Sequence, residues 1–180
     1  MVCAQARYTN HMNTIGILLE DYFDEREVIY PYFRVQEAGF KPLLIGPKVG
    51  SYHGKTPFTL EATAAASEVS AEDLSGLIVP GGFAPDRIRR HRSMTGLIAD
   101  INAQHKPLGA ICHAGWALIS AGIVRGRTLT GFSSIREDLE NAGAIYLESE
   151  RVVVDGNLVT AQHADDNAAF LVKFLEVFGK

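Results

Sequence analysis

The segment Gly109-Ala110-Ile111-Cys112-His113-Ala114-Gly115 carries the strongest chemical signal in the chain. An apolar strand, Leu108 to Ile111, runs directly into a helical stretch, and a thiol sits at the junction. Small residues flank it at Ala110 and Ala114, as a sharp strand-to-helix turn requires, because bulkier neighbours would clash there. Such an elbow presents its central side chain at the carboxyl edge of a sheet, where ligands of α/β proteins bind. A helix N-terminus beneath a cysteine also favours the thiolate, the nucleophilic form. A cysteine at this junction, followed by His113, reads as a functional thiol rather than a core residue.

The elements around Cys112 follow from apolar periodicity. Buried strands are predicted at residues 15–19, 43–46, 77–79 and 108–111. Helices are predicted from Phe23 to Ala38, over 93–104 with Ser93 as cap, from Cys112 to about Ala121, from Ile135 to Ala142 and from about Asp165 to Phe178. Pro31 lies inside the first helix and cannot donate to the carbonyl of Glu27, so a kink or broken turn is expected. Ser70 caps a helical turn over Ser70–Asp73. Residues 47–62, punctuated by Gly and Pro, leave room for a short hairpin, and Asp155-Gly156-Asn157 between two valine-rich runs signals another. This alternation predicts an α/β three-layer sandwich with a mainly parallel sheet and helices on both faces.

The chain has 180 residues, 47% apolar and 21% charged, which fits one globular domain. Residues 14–180 form that domain; residues 1–13 are expected to be a disordered extension. A net charge of −4 argues against a nucleic-acid module. The basic run Arg87–Arg92 reads as a solvated or intersubunit face. No apolar run reaches the roughly 18 residues of a membrane helix, and the first residues lack the apolar core of a secretory signal. Two cysteines, Cys3 and Cys112, are too few for a disulfide scaffold and point to a reducing, cytoplasmic compartment. The six histidines show no metal-ligand spacing and no phosphate loop is present, so no metal or cofactor is expected.

Several motifs then carry a resemblance. They are Ala110-Ile111-Cys112-His113, Ser120 to Arg127, Asp138 to Ala144, Val79-Pro80-Gly81-Gly82-Phe83-Ala84-Pro85-Asp86-Arg87, Val153 to Thr160, and Asp21 to Asp24 with Glu27 and Tyr30-Pro31-Tyr32. In this order the chain, from about residue 14 to 178, resembles the PfpI/ThiJ superfamily, most closely its intracellular protease branch. That resemblance implies a flavodoxin-like fold, similar to class I glutamine amidotransferases, with the nucleophile elbow at Cys112.

The resemblance makes Cys112 the nucleophile and His113 its neighbour; after an elbow the ring of His113 can point away and leave its backbone N–H for the oxyanion hole. Gly81 and Gly82 match the other oxyanion donors, since glycine lets an N–H approach a developing oxyanion. Glu27 matches the glutamate four residues before the helix proline, a carboxyl that lies against the sulfur. On pattern alone it belongs to an acidic surface patch with Asp21, Asp24 and Glu25. Asp24, one turn earlier on the same face, becomes a second carboxylate near the site. Asp86 matches the acidic residue that a neighbouring subunit lends to orient the histidine, against the plainer reading of a helix cap or an ion pair with Arg89 or Arg90. A homo-oligomer, dimer or hexamer, with the site near a subunit interface follows from that. Phe132 stands where the protease branch has a tyrosine, and Ala161-Gln162-His163 replaces its usual Ser-Arg pair. The implied activity is that of a cofactor-independent cysteine enzyme. It acts either on methylglyoxal and its adducts, as a glyoxalase or deglycase, or on peptides through an acyl-enzyme. The competing class is a redox sensor or holdase chaperone with an oxidisable Cys112.

Overall fold

The computed structural model describes residues 13–179. Residues 1–12, with Cys3 and most of the expected extension, lie outside the described residues. Asn13 is already tied to the domain: its carbonyl accepts from Lys41 N at 2.8 Å and its side-chain amide donates to the Gly39 carbonyl.

The chain begins with β1 (Thr14–Leu18), α1 (Glu25–Glu37) and β2 (Lys41–Gly46), then a hairpin of β3 (Gly50–His53) and β4 (Thr59–Ala62), and a short β5 (Ala64–Ala65). It continues through β6 (Gly76–Val79), α2 (Ala84–Ile88), α3 (Arg92–Ala103), β7 (Leu108–Ile111) and α4 (Gly115–Ser120). The last part holds β8 (Thr128–Leu129), α5 (Arg136–Asn141), β9 (Ile145–Tyr146), β10 (Val152–Asp155), β11 (Leu158–Ala161) and α6 (Asn167–Glu176).

Seven strands form one sheet in the order β10-β11-β7-β6-β1-β2-β5. All neighbours are parallel except the edge hairpin β10–β11. Every residue of β6, β7 and β11 is buried, which explains their continuous apolar runs: both faces of a parallel sheet are covered. α1 and α6 pack together on β2 and β11, and α3 packs on β6 and β7 with α4 beside it. The result is the three-layer α/β sandwich.

From β1 the chain passes to β2 on one side and then returns to β6 on the other. The crevice where this direction reverses, at the carboxyl ends of β1 and β6, is where open α/β sheets place their ligands. Three loops meet there: the one leading into α1, the one after β6, and the elbow after β7.

Some local expectations change. α3 begins at Arg92 with His91, not Ser93, at the N-cap, and no side chain caps it. The His91 ring is held by buried Glu20 at 2.9 Å, which fixes the turn one residue pair earlier. α1 runs unbroken through Pro31; the ring is buried, and that apolar burial offsets the missing hydrogen bond. α6 is shorter than the predicted span because residues 164–166 form a separate turn closed by Asp166 onto His163 N at 2.9 Å. Ser70 does cap its turn, reciprocally with Asp73. The short α2, β5 and the β8–β9 pair were not expected, because two- to five-residue elements leave no periodic signature.

Candidate active site

Cys112 closes β7 at φ +61, a left-handed backbone that costs a non-glycine residue about 1–3 kcal/mol. That strain is the elbow. It turns the residue out of the strand and into a short turn, Cys112–Ala114, that leads to α4. Gly131, on the loop after β8, lies close to the elbow, and Phe132 N donates to the Cys112 carbonyl at 3.0 Å. The side chain is almost buried, 7% exposed.

His113 does not point away. Its Nδ1 lies 3.3 Å from the Cys112 sulfur and its Nε2 lies 3.2 Å from Ser134 Oγ. The ring stacks on Phe132, with centroids 4.6 Å apart at 24°, and Trp116 and Phe83 stand on its other sides. Burial, then the nearby Lys55 charge, lower the His113 pKa, so the imidazole is neutral at physiological pH.

Glu27 is wholly buried, unlike the surface patch its sequence neighbours describe. Oε2 accepts from Gly81 N at 2.7 Å. Oε1 has no hydrogen-bond partner of ordinary geometry among the described residues, yet the Cys112 side chain is close enough to influence its titration. One proton shared between Oε1 and the sulfur resolves this, since a buried polar atom needs a partner. Burial, and then the Asp24 charge, push the Glu27 carboxyl up to about 7. Burial, and then an ionised Glu27, push the Cys112 thiol up to about 12. The depressed thiol pKa expected from the helix end is therefore not found for the isolated group; desolvation outweighs a three-residue turn and a six-residue helix. The two groups titrate as a pair, which holds one proton from about pH 7 to about pH 12.

The glycines divide their work differently from expectation. Gly81 gives its N–H to Glu27, so it supports the carboxyl instead of serving an oxyanion. It has no room for a side chain, because a Cβ would lie 2.6 Å from both Cys112 Cβ and Glu27 Oε2. The backbone N–H groups of Gly82 and His113 are the ones that stabilise the charged sulfur. Gly82 adopts φ +69, which glycine tolerates.

Asp24 caps α1 and is buried at the rim of the site. Burial works to raise its pKa, but hydrogen bonds from Arg26 and Lys55 outweigh it and hold the carboxyl below its ordinary value. Lys55 reaches Asp24 Oδ2 at 3.2 Å from the tip of the β3–β4 hairpin, whose backbone is pinned by Lys55 N to the Phe23 carbonyl at 3.0 Å. Asp86 lies outside this group. Within the chain it is exposed and pairs with Arg90 at 3.4 Å, the plainer of its two readings.

Sequence reasoning named Cys112, His113, Glu27, Asp24, Gly81 and Gly82, and the fold brings all of these together. It missed Lys55, Ser134, Trp116 and Phe83, which line the same pocket of about 460 Å³ with Phe132 and His163. A second cavity, about 380 Å³ between α1, β2 and β4, is lined by apolar side chains such as Val28, Phe33 and Phe58 and contains no catalytic pair. Among the described residues no cluster of His, Cys, Asp and Glu could hold a metal ion, and no helix is long and apolar enough to cross a membrane.

A strained cysteine at a strand-to-helix elbow, backed by a buried carboxyl and faced by a neutral histidine, defines an α/β enzyme with a cysteine nucleophile. The sequence pattern of the DJ-1/PfpI family matches residues 13–177, and the chain belongs to that family. It is 37% identical over 161 residues to a deglycase of Pyrococcus abyssi, covering 89% of this chain and 96% of the relative. A Bacillus subtilis relative, named only provisionally as a cysteine protease, is 37% identical over 160 residues, 87% of this chain and 92% of its own. A crystal structure from Anabaena variabilis, a two-domain protein with DJ-1/ThiJ/PfpI-like and ferritin-like domains, superposes with a TM-score of 0.89 at 33% identity. It covers 93% of this chain and 48% of that longer one.

Proposed function

We propose that this protein converts methylglyoxal, and the adducts methylglyoxal forms on thiols and amines, to lactate without a cofactor. The observation that carries this is the buried Glu27 carboxyl beside the Cys112 sulfur. We place the pair's one proton on Glu27 Oε1: the ionised Glu27 that holds the thiol proton up to about 12 is then absent, and the sulfur charge is held instead by that O–H and by the backbone N–H groups of Gly82 and His113.

The sulfur attacks the aldehyde carbon, and Glu27 passes its proton to the new oxygen, giving a hemithioacetal. The Glu27 carboxylate so formed removes the proton from that carbon and returns it to the neighbouring carbon. The hydroxyl proton moves to the adjacent oxygen, leaving a lactoyl thioester. Water cleaves the thioester, releasing lactate and restoring the pair; the net change is addition of one water. Amide hydrolysis asks instead for a histidine oriented by a carboxylate, and among the described residues the His113 ring nitrogens meet only Cys112 and Ser134. The P. abyssi relative's deglycase name supports the same choice. A cytoplasmic setting, where methylglyoxal arises and thiols stay reduced, completes the reading.

The test is incubation of the wild-type protein with methylglyoxal in the absence of added thiol or metal, with lactate followed by NMR. Stoichiometric lactate over many turnovers is expected. No lactate, together with release of an amine from a peptide substrate, would overturn this reading in favour of hydrolysis. Neither product, with peroxide adding oxygen to Cys112, would favour a redox sensor.

A further inference from the structure

Among the described residues, Lys55 is the one lysine or arginine that lines the Cys112 pocket. It stands at the tip of the β3–β4 hairpin, and that tip is clamped to the chain entering α1. Lys55 N donates to the Phe23 carbonyl at 3.0 Å, and Thr56 gives its N–H and its hydroxyl to Glu25 Oε1 at 2.7 and 2.8 Å. The Lys55 ammonium makes one hydrogen bond among the described residues, to Asp24 Oδ2 at 3.2 Å. Asp24 does not depend on that bond. Arg26 holds the same carboxylate from its N–H and Nε to Oδ1 at 3.1 and 3.2 Å, and from Nη2 to Oδ2 at 3.1 Å. The Asp24 side chain is 6% exposed with both oxygens engaged, whereas that of Lys55 is 42% exposed, and an ammonium carries three donors. A ligand in the pocket therefore meets the cation more readily than the anion. The Lys55 charge is also felt at the reacting end, where it disfavours protonation of both His113 and Glu27.

We propose that Lys55 is a specificity-determining residue that receives a substrate carboxylate, so that the site prefers methylglyoxal adducts on carboxylate-bearing thiols and amines over the adducts of their neutral amides. The rest of the wall suits such a molecule. Phe83, Trp116 and Phe132 give it apolar cover, and about 460 Å³ admits an adduct the size of a modified amino acid. With a thiol adduct, the bond from the aldehyde carbon to the Cys112 sulfur forms as the bond to the carrier sulfur breaks. The carrier leaves with the electron pair and takes a proton from solvent. What remains on Cys112 is the hemithioacetal already described, so the substrate preference rests on that reaction. Recognition of the carboxylate is visible without turnover.

The experiment compares alkylation of Cys112 by iodoacetate, which carries a carboxylate, with alkylation by iodoacetamide, its neutral amide. Each reagent forms a carbon–sulfur bond and expels iodide, so the ratio of the two rates cancels the titration of the thiol. Rates are read by mass spectrometry on the Cys112 peptide of the full-length protein, with 2-mercaptoethanol as the free-thiol reference. The iodoacetate-to-iodoacetamide ratio is expected to be about tenfold higher at Cys112 than for the free thiol, the size of one charge-assisted hydrogen bond. Lys55→Met should remove that preference and Lys55→Arg should keep most of it. Lys48→Met, which deletes an equal charge in the exposed bend before β3, should leave it within about twofold. In turnover, rates are corrected for the free methylglyoxal in equilibrium with each adduct. The kcat/KM for the N-acetylcysteine adduct should then exceed that for the N-acetylcysteine amide adduct by a similar factor, and Lys55→Met should level the two, chiefly through KM. A wild-type alkylation ratio equal to that of the free thiol, a ratio unmoved by Lys55→Met, or equal turnover of the two adducts overturns the proposal. An alkylation preference that depends on Lys55, with no lactate from either adduct, overturns the reaction and leaves the carboxylate site standing.

Discussion

Cys112→Ala is expected to reduce lactate formation from methylglyoxal by at least about 10³-fold, because among the described residues Cys112 is the one thiol able to form the hemithioacetal. The fold should survive the change. Alanine keeps the β-carbon that the elbow already accommodates, and only a sulfur atom leaves the pocket wall. Stability should move by no more than about 1 kcal/mol. Circular dichroism melting alongside the turnover assay separates the two effects. An alanine variant that folds and retains more than a tenth of the activity would remove Cys112 from the mechanism.

The second large effect belongs to Glu27. Glu27→Gln keeps the shape and can still accept from Gly81 N, but it can neither give up nor take back a proton. Loss of general acid–base work of this kind slows turnover by about 10²–10⁴-fold. The same substitution should stabilise the protein in alkaline conditions, and the sign follows from linkage. In the unfolded chain Glu27 gives up its proton at 4.5, whereas the folded Cys112–Glu27 pair gives up its first proton only at about 7, so the folded state binds that proton more tightly. Stability is then highest below pH 4.5 as far as this group is concerned, and falls as pH climbs from 4.5 through about 7. A shift of that size corresponds to roughly 3 kcal/mol. Glutamine does not ionise, so the variant should melt above the wild type at pH 8 and lose that advantage near pH 5. A variant that is both slow and less stable at pH 8 would mark Glu27 as a packing residue.

The contrast between Glu27 and Cys112 shows what the sequence makes legible. The elbow is local. A buried strand, a thiol and small flanking residues occupy seven consecutive positions, and the backbone they require is the backbone found. The alternation of strands and helices is equally local, so the layered sheet follows from periodicity. Glu27 is different. Its neighbours are acidic and its helix face looks polar; what buries it is the Gly81 turn, 54 residues away. Only likeness to a known pattern identified it.

Gly81 and Gly82 both lie beside Cys112, but their tasks depend on which way each N–H points, and a pair of glycines does not encode that. Ser134 and Lys55 come from a loop and a hairpin tip. Neither has periodicity, and each acquires meaning only through what faces it. The ring of His113 illustrates the same limit: adjacency to Cys112 fixes its distance along the chain, while its direction comes from the strained φ of Cys112 and from stacking on Phe132.

The central claim is that Cys112 and Glu27 share one proton at neutral pH and that the proton is on the carboxyl. Thiolate absorbance near 240 nm, recorded against pH as the difference between wild type and Cys112→Ala, tests it directly. The account predicts a step near pH 7, where the pair gives up its first proton, and a higher midpoint in Glu27→Gln. If wild-type absorbance stays flat until the pH approaches 12, the proton resides on sulfur and the thiolate mechanism is contradicted.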